Sequence, residues 1–398
     1  VIAAQRRAIA QLFAAAAAGS SGFYGFVTVG PLIALELTGS RAWSGLPSTC
    51  TVLGAAVGAA LIAGLMSRAG RRAGLRVGFG LGATGGALAV TGALAERFTL
   101  FLAAAALIGM AHGANLLSRF AAADMVAPER RGAALGTVLA AGTIGALVGP
   151  NLARAAAPLG LANQGGGLLL VALSFSIALA VVSLMRTDPS ALAADAAPPA
   201  DLPAASPTGL WRAPHVVLAL VALVLGQAAM ILLMTVTPVH VHDAGHGVGT
   251  VGLVMAAHFV GMFALSPVIG WLVPRAGAQA IILAGMAILI AATTGAAIAP
   301  HGSILFLWLF LLGLGWSCSY VSGSALLCRD LEPAARARLQ GAVDAIVWMV
   351  SAAISLLAGI GLEYIGYHGI AAVGAALSAG PVAFVVARRV RAWNHARG

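Results

Sequence analysis

Apolar residues run along this chain in stretches of about twenty or more, the length a helix needs to cross a hydrocarbon core. Short polar breaks separate them, and the pattern predicts spans at residues 8–37, 43–66, 74–95, 99–125, 132–157, 166–185, 215–238, 248–273, 278–299, 302–327, 338–362 and 367–387. With no water in the bilayer to satisfy an open backbone, runs of this length are read as helices. The expected fold is an all-α membrane protein of twelve transmembrane helices.

Composition supports this pattern. Of 398 residues, 60% are hydrophobic and only 9% charged, with a mean hydropathy of +0.98, which excludes a soluble domain. The net charge of +10 is carried by arginines gathered at the ends of alternate runs, so it reads as topology and not as a nucleic-acid patch. Arg68, Arg71, Arg72 and Arg76 follow the second run, Arg130 and Arg131 the fourth, Arg329, Arg336 and Arg338 the tenth, and Arg388, Arg389 and Arg391 lie near the end. By the positive-inside rule these ends, and both termini, are expected in the cytoplasm. The first run is too long for a signal-peptide core and is taken as a span. Cys50, Cys318 and Cys328 sit in or beside spans and do not suggest a disulfide framework.

A Pro- and Ala-rich stretch around Pro198 and Pro199 divides the chain into a six-helix half at 1–185, a cytoplasmic linker at 186–212 and a second six-helix half at 213–398. The halves look duplicated. Gly70 and Gly277 close similar loops 207 positions apart (277 − 70), and Arg131 and Arg338 repeat the same offset (338 − 131).

The loop from Ala63 to Arg72 resembles the loop signature of the major facilitator superfamily, with Ala63 and Ser67 where that signature has Gly and Asp. Gly136, Gly145, Gly149 and Pro150 resemble its antiporter signature, with Ala153 and Arg154 in place of the final Gly pair. The resemblance implies a major facilitator fold of two six-helix pseudo-repeats that rock around a midplane site. On physical grounds alone these glycines permit close helix approach and Pro150 a kink.

Spans seven and eight carry candidate chemistry. Met230 and Met234 lie four apart in span seven, and His258 and Met262 four apart in span eight, so each pair shares one helix face. Gln227 and Met255 extend the stripes. Thioethers and a neutral imidazole suit Cu(I) better than harder ions, and they sit in a low-dielectric span without charge. The competing reading is methionine as core filler and a histidine bonded across a helix interface. The Met-x-x-x-Met and His-x-x-x-Met pair resembles the signature of the CcoA-like copper importers, the CalT family within that superfamily. The resemblance implies Met230, Met234, His258 and Met262 as copper ligands. It further implies import across the bacterial cytoplasmic membrane, feeding the copper acceptors that assemble cbb3-type cytochrome c oxidase. The implied cargo is copper itself, as Cu(I) or a copper complex, and no organic cofactor is called for.

His240, His242 and His246, expected in an outward loop, could capture the arriving ion, or be ordinary solvated residues. Met255 and the three cysteines are accessory candidates. Arg68, Arg71, His112, Arg119 and Asp344 are candidates for gating or coupling, because ionisable groups in a span are costly; Asp344 could instead pair with an inner gate cluster. No phosphate-binding loop or nucleophile–base set is present, so the expected activity is secondary transport and not catalysis. Two rivals stand beside copper import: proton-coupled export of drug-like organic solutes, and a membrane sensor or assembly factor that binds copper without moving it.

Overall fold

A computed structural model describes residues 2–39, 43, 45–156, 158, 165–186, 188–189, 211–243, 248–300, 302–328 and 333–395. Among these, twelve helices are long and apolar enough to cross a membrane. They are α1 Ala3–Thr38, α2 Leu46–Ala69, α3 Arg71–Leu94, α4 Phe98–Asp124, α5 Pro128–Asn151, α6 Gly165–Ser183, α7 Pro214–Thr237, α8 Leu253–Ala276, α9 Ala278–Ile298, α10 Ile304–Leu326, α11 Ala335–Ala358 and α12 Ile360–Val386. Each matches one of the expected spans. The expected linker lies largely outside the described residues.

Two compact units form, one from residues 1–202 with 330–352, the other from residues 203–329 with 353–398. In the first, α2 and α3 pack on α4, while α1 packs on α5 and α6; in the second, α8 and α9 pack on α10.

The duplication extends to atoms. The loop expected between spans two and three shrinks to a single residue, Gly70, whose φ of 90° is open to glycine and strained for other residues. Its N–H bonds the Met66 carbonyl at 3.1 Å and ends α2, while its own carbonyl starts α3. Gly277, at φ 84°, does the same between α8 and α9 through the Val273 carbonyl at 2.9 Å.

Helix contacts repeat as well. A side chain on Gly54 would strike the carbonyl of Ala106, and one on Gly109 the carbonyl of Thr51, so α2 and α4 touch backbone to backbone. Gly261 against Phe310 and Gly313 against His258 do the same for α8 and α10. His258 therefore occupies the place of Thr51 (258 − 51 is 207), while α10 follows α4 at an offset of 204 (313 − 109). A three-residue slip returns nearly the same helix face, so the packing survives it.

Candidate functional site

His258 is fully buried on the first part of α8, on the side that abuts α10. Its Nδ1 lies 3.0 Å from the Leu309 carbonyl. A carbonyl only accepts, so Nδ1 carries the proton and Nε2 presents its lone pair. That Nε2 is buried and has no hydrogen-bond partner among the described residues. Met262 follows one turn later, buried, with its backbone N–H against Gly313.

The expected continuous span here is interrupted at Ala264 and Leu265, directly after this motif. Pro267 has no N–H to give the Phe263 carbonyl, and the Ser266 hydroxyl supplies that bond instead at 2.6 Å.

Met230 is buried and Met234 half-buried on α7. Their helix meets α10 through Gln227, whose Oε1 accepts the Trp316 indole N–H at 2.6 Å. Trp316 stacks on Tyr320 at 4.4 Å and meets Phe263 edge-on at 5.9 Å. The two motifs thus approach α10 from different helices, and none of the hydrogen bonds or ring contacts among the described residues joins them directly. Spacing places Gln227 on the span-seven stripe, but its bond to Trp316 and the aromatic cluster around it were not anticipated from sequence. Met255 is half-buried on α8.

The expectation of a histidine-bearing loop after span seven is corrected. The helix continues to Asp243, so His240 and His242 are helical, while His246 lies outside the described residues. Pro238 does not stop it, just as its repeat counterpart Pro31 lies inside α1, because membrane helices tolerate proline. His240 donates from Nε2 to the Pro300 carbonyl at 3.2 Å and stacks on Tyr367 at 4.1 Å, a ring anchored by Thr237.

Cys50 is half-buried on α2, and Cys328 is buried just beyond α10. Cys318 is buried where α9 crosses α10, beside Gly285; its counterpart Ala114 faces Gly78 in the first unit. That is a small-residue packing position.

Charge is concentrated in the first unit. Asp124, not anticipated from sequence, takes Arg71 on Oδ2 at 2.8 Å and Arg336 on Oδ1 at 2.9 Å. Arg71 also donates to Gln340 at 2.7 Å. Ser67, standing where the loop signature has Asp, accepts from Arg338 at 3.3 Å, while Arg68 is exposed outside this cluster. Asp344 stands apart from the cluster, paired with Arg119 at 2.7 Å. On the same face of α4, Asn115 donates to Ser20 at 3.0 Å and His112 stacks on Phe23 at 3.6 Å. The signature glycines of span five face α1, where Gly145 meets Ser20 and Gly149 meets Tyr24 and Gly25; Pro150 turns the end of the helix into a short 3₁₀ segment.

The chain matches the family model described as Major Facilitator Superfamily over residues 12–355 and 240–396, and it belongs to that superfamily. It is a multi-pass membrane protein of a transporter family. It is 33% identical to the uncharacterised MFS-type transporter YddS of Bacillus subtilis, over 90% of this chain and 86% of that one. It is also 30% identical to the riboflavin transporter RfnT of Brucella anthropi, over 92% and 91% respectively. Among solved structures, it shares a TM-score of 0.78 with the human organic anion transporter MFSD10, at 16% identity and covering 96% of this chain and 99% of that one. These likenesses establish a major facilitator secondary transporter.

Proposed function

We propose that this transporter imports copper, as Cu(I), through Met230, Met234, His258 and Met262. The observation that carries the reading is the state of His258. Its Nδ1 proton is spent on the Leu309 carbonyl, and its Nε2 lone pair is left buried without a partner. Metal-ligating histidines are held in this way, with a backbone acceptor fixing the tautomer and aiming the other nitrogen. An unsatisfied buried acceptor costs about 1–3 kcal/mol, which a cargo ion would offset while bound. Soft thioethers at Met230, Met234 and Met262 complete a set that favours Cu(I). Import across the cytoplasmic membrane, with both termini inside and delivery toward cbb3-type oxidase assembly, follows from the arginine distribution and the CcoA-like resemblance.

One specific arrangement favours a second reading. The Trp316–Tyr320 stack with the Gln227 amide suits a planar organic solute, and the 30% identical relative is named a riboflavin transporter. Both readings meet in one experiment. Vesicles holding purified protein are given radiocopper under reducing conditions, or riboflavin. The copper reading expects copper uptake that is lost in His258→Leu, Met230→Leu, Met234→Leu and Met262→Leu at normal protein levels. Riboflavin uptake with no copper uptake would overturn it, as would full copper uptake by the motif variants.

A further inference from the structure

A secondary transporter that accumulates its cargo against a gradient needs a coupled driving gradient, and ionisable groups inside membrane helices mark ion pathways. The first unit holds a buried carboxylate that the copper reading does not use. We propose that Asp344 is the proton-binding site of this transporter, with Arg119 as its positioning residue; the inference rests on secondary transport and not on the identity of the cargo.

Asp344 and Arg119 are both about 1% exposed. Arg119 Nη2 reaches Asp344 Oδ1 at 2.7 Å, while Oδ2 is buried with no hydrogen-bond partner among the described residues. A carboxylate oxygen with no donor is the place where a proton adds. The proton forms an O–H bond on Oδ2, cancels the charge of Asp344 and weakens its hold on Arg119. Deprotonation on the other side of the membrane reverses this, so one proton crosses per cycle and no other bond changes.

Stripping one charge from a buried pair ordinarily strands the other. Here Arg119 has further supports: its Nη1 donates to the Leu116 carbonyl at 2.5 Å, and its guanidinium lies 4.1 Å over the Phe120 ring. Two more acceptor-capable atoms on the same α4 stripe, Asn115 Oδ1 and His112 Nδ1, are also buried without partners. His112 meets Trp348, one turn beyond Asp344, at 5.4 Å. A metal cation does not suit this place. The guanidinium repels it, and two open oxygens fall short of the six or so that hard cations take.

Besides His112, the other buried or half-buried charged and titratable groups of this unit among the described residues are Tyr24 from α1, Cys50 from α2, Arg71 and Arg72 from α3, Asp124 from α4, Arg131 at the start of α5, Asp188 beyond α6 and Arg336 on α11 itself. Asp124 is bridged by two arginines and Asp188 accepts the Arg72 backbone N–H at 3.0 Å, whereas Asp344 is paired with Arg119 through Oδ1 and keeps a buried Oδ2 without a hydrogen-bond partner.

Infrared difference spectra of the purified full chain, acid minus neutral, test the site without any cargo. A protonated-carboxyl band is expected in the parent protein, lost in Asp344→Asn and shifted in Asp344→Glu. In vesicles with an inward proton gradient, Asp344→Asn is expected to lose gradient-driven radiocopper accumulation while keeping copper-for-copper exchange, and Asp344→Glu to regain accumulation. A band unchanged by Asp344→Asn overturns the proposal, and so does parental accumulation by that variant. If the parent moves no copper under any gradient, the copper reading fails while the infrared result still decides Asp344.

Discussion

Thr51 and His258 occupy one position of a duplicated helix contact, and they solve it differently. Each presents its backbone carbonyl to a glycine of the partner helix, Gly109 or Gly313. Thr51 satisfies its hydroxyl on its own helix, at the Ser48 carbonyl 2.7 Å away, and asks nothing further of its surroundings. His258 reaches across to Leu309 and leaves a second nitrogen open. The rest of the two units differs in the same sense. The ion pairs Arg71–Asp124, Arg336–Asp124 and Arg119–Asp344 lie in the first, whereas the buried polar groups around α8 and α10 in the second are neutral. Within the duplicated helices, the buried positions of α2–α4 carry charge at Arg71, Arg119 and Asp124, while those of α8–α10 carry neutral donors and sulfur.

The sharpest way to break this contrast is at Asp124, whose repeat counterpart is Cys328 at the 204 offset (328 − 124). Asp124→Asn leaves Arg71 and Arg336 buried against an uncharged amide, and removing one partner of a buried pair typically costs about 3–5 kcal/mol. Membrane levels and the melting temperature in detergent should fall steeply. Cys328→Ala, which strands no charge, should leave both near the parental values. Equal losses at the two positions would mean that the charges of the first unit hold nothing together.

A smaller effect is expected from the paired glycines. Alanine at Gly109 or Gly313 drives a methyl into a backbone carbonyl of the facing helix, and overpacking of this kind costs about 1–3 kcal/mol. Thermal unfolding should register both substitutions alike. Copper binding per folded molecule should separate them, because only Gly313→Ala displaces the turn that carries His258 and Met262. Parallel losses of binding in both variants would sink the idea that the open imidazole is local to the second unit.

Much of this was legible in the sequence. The twelve spans follow from the lengths of the apolar runs, and the turns at Gly70 and Gly277 from a repeated glycine beside arginine. What escaped depends on partners far along the chain. Asp124 falls at the end of an expected span, and nothing local marks it out until Arg71 and Arg336 close on it. Gln227 and Trp316 have no local spacing to announce their bond. The histidines after span seven lie past the apolar run and so read as a loop, yet the helix continues through Pro238 to Asp243, as membrane helices tolerate proline.

Met286 provides the finest test of the comparison and the smallest effect. It is fully buried on α9, with its methyl close to the space over Gly226. Its counterpart 207 positions earlier (286 − 79) is Phe79, which fills the same space over Gly19. A position that accepts phenylalanine in one copy and methionine in the other uses bulk and not sulfur. Met286→Leu keeps volume and apolarity, so its cost should stay below about 1.5 kcal/mol and copper uptake should be unaffected. Met230 also has an aromatic counterpart, Phe23, so bulk alone would serve there too if its sulfur were idle. Under the copper reading, Met230→Leu stops uptake at the same small folding cost that Met286→Leu incurs without harm. If the two variants transport copper equally well, Met230 is packing in the manner of Phe23, and the ligand set must be sought around His258 and Met262 alone.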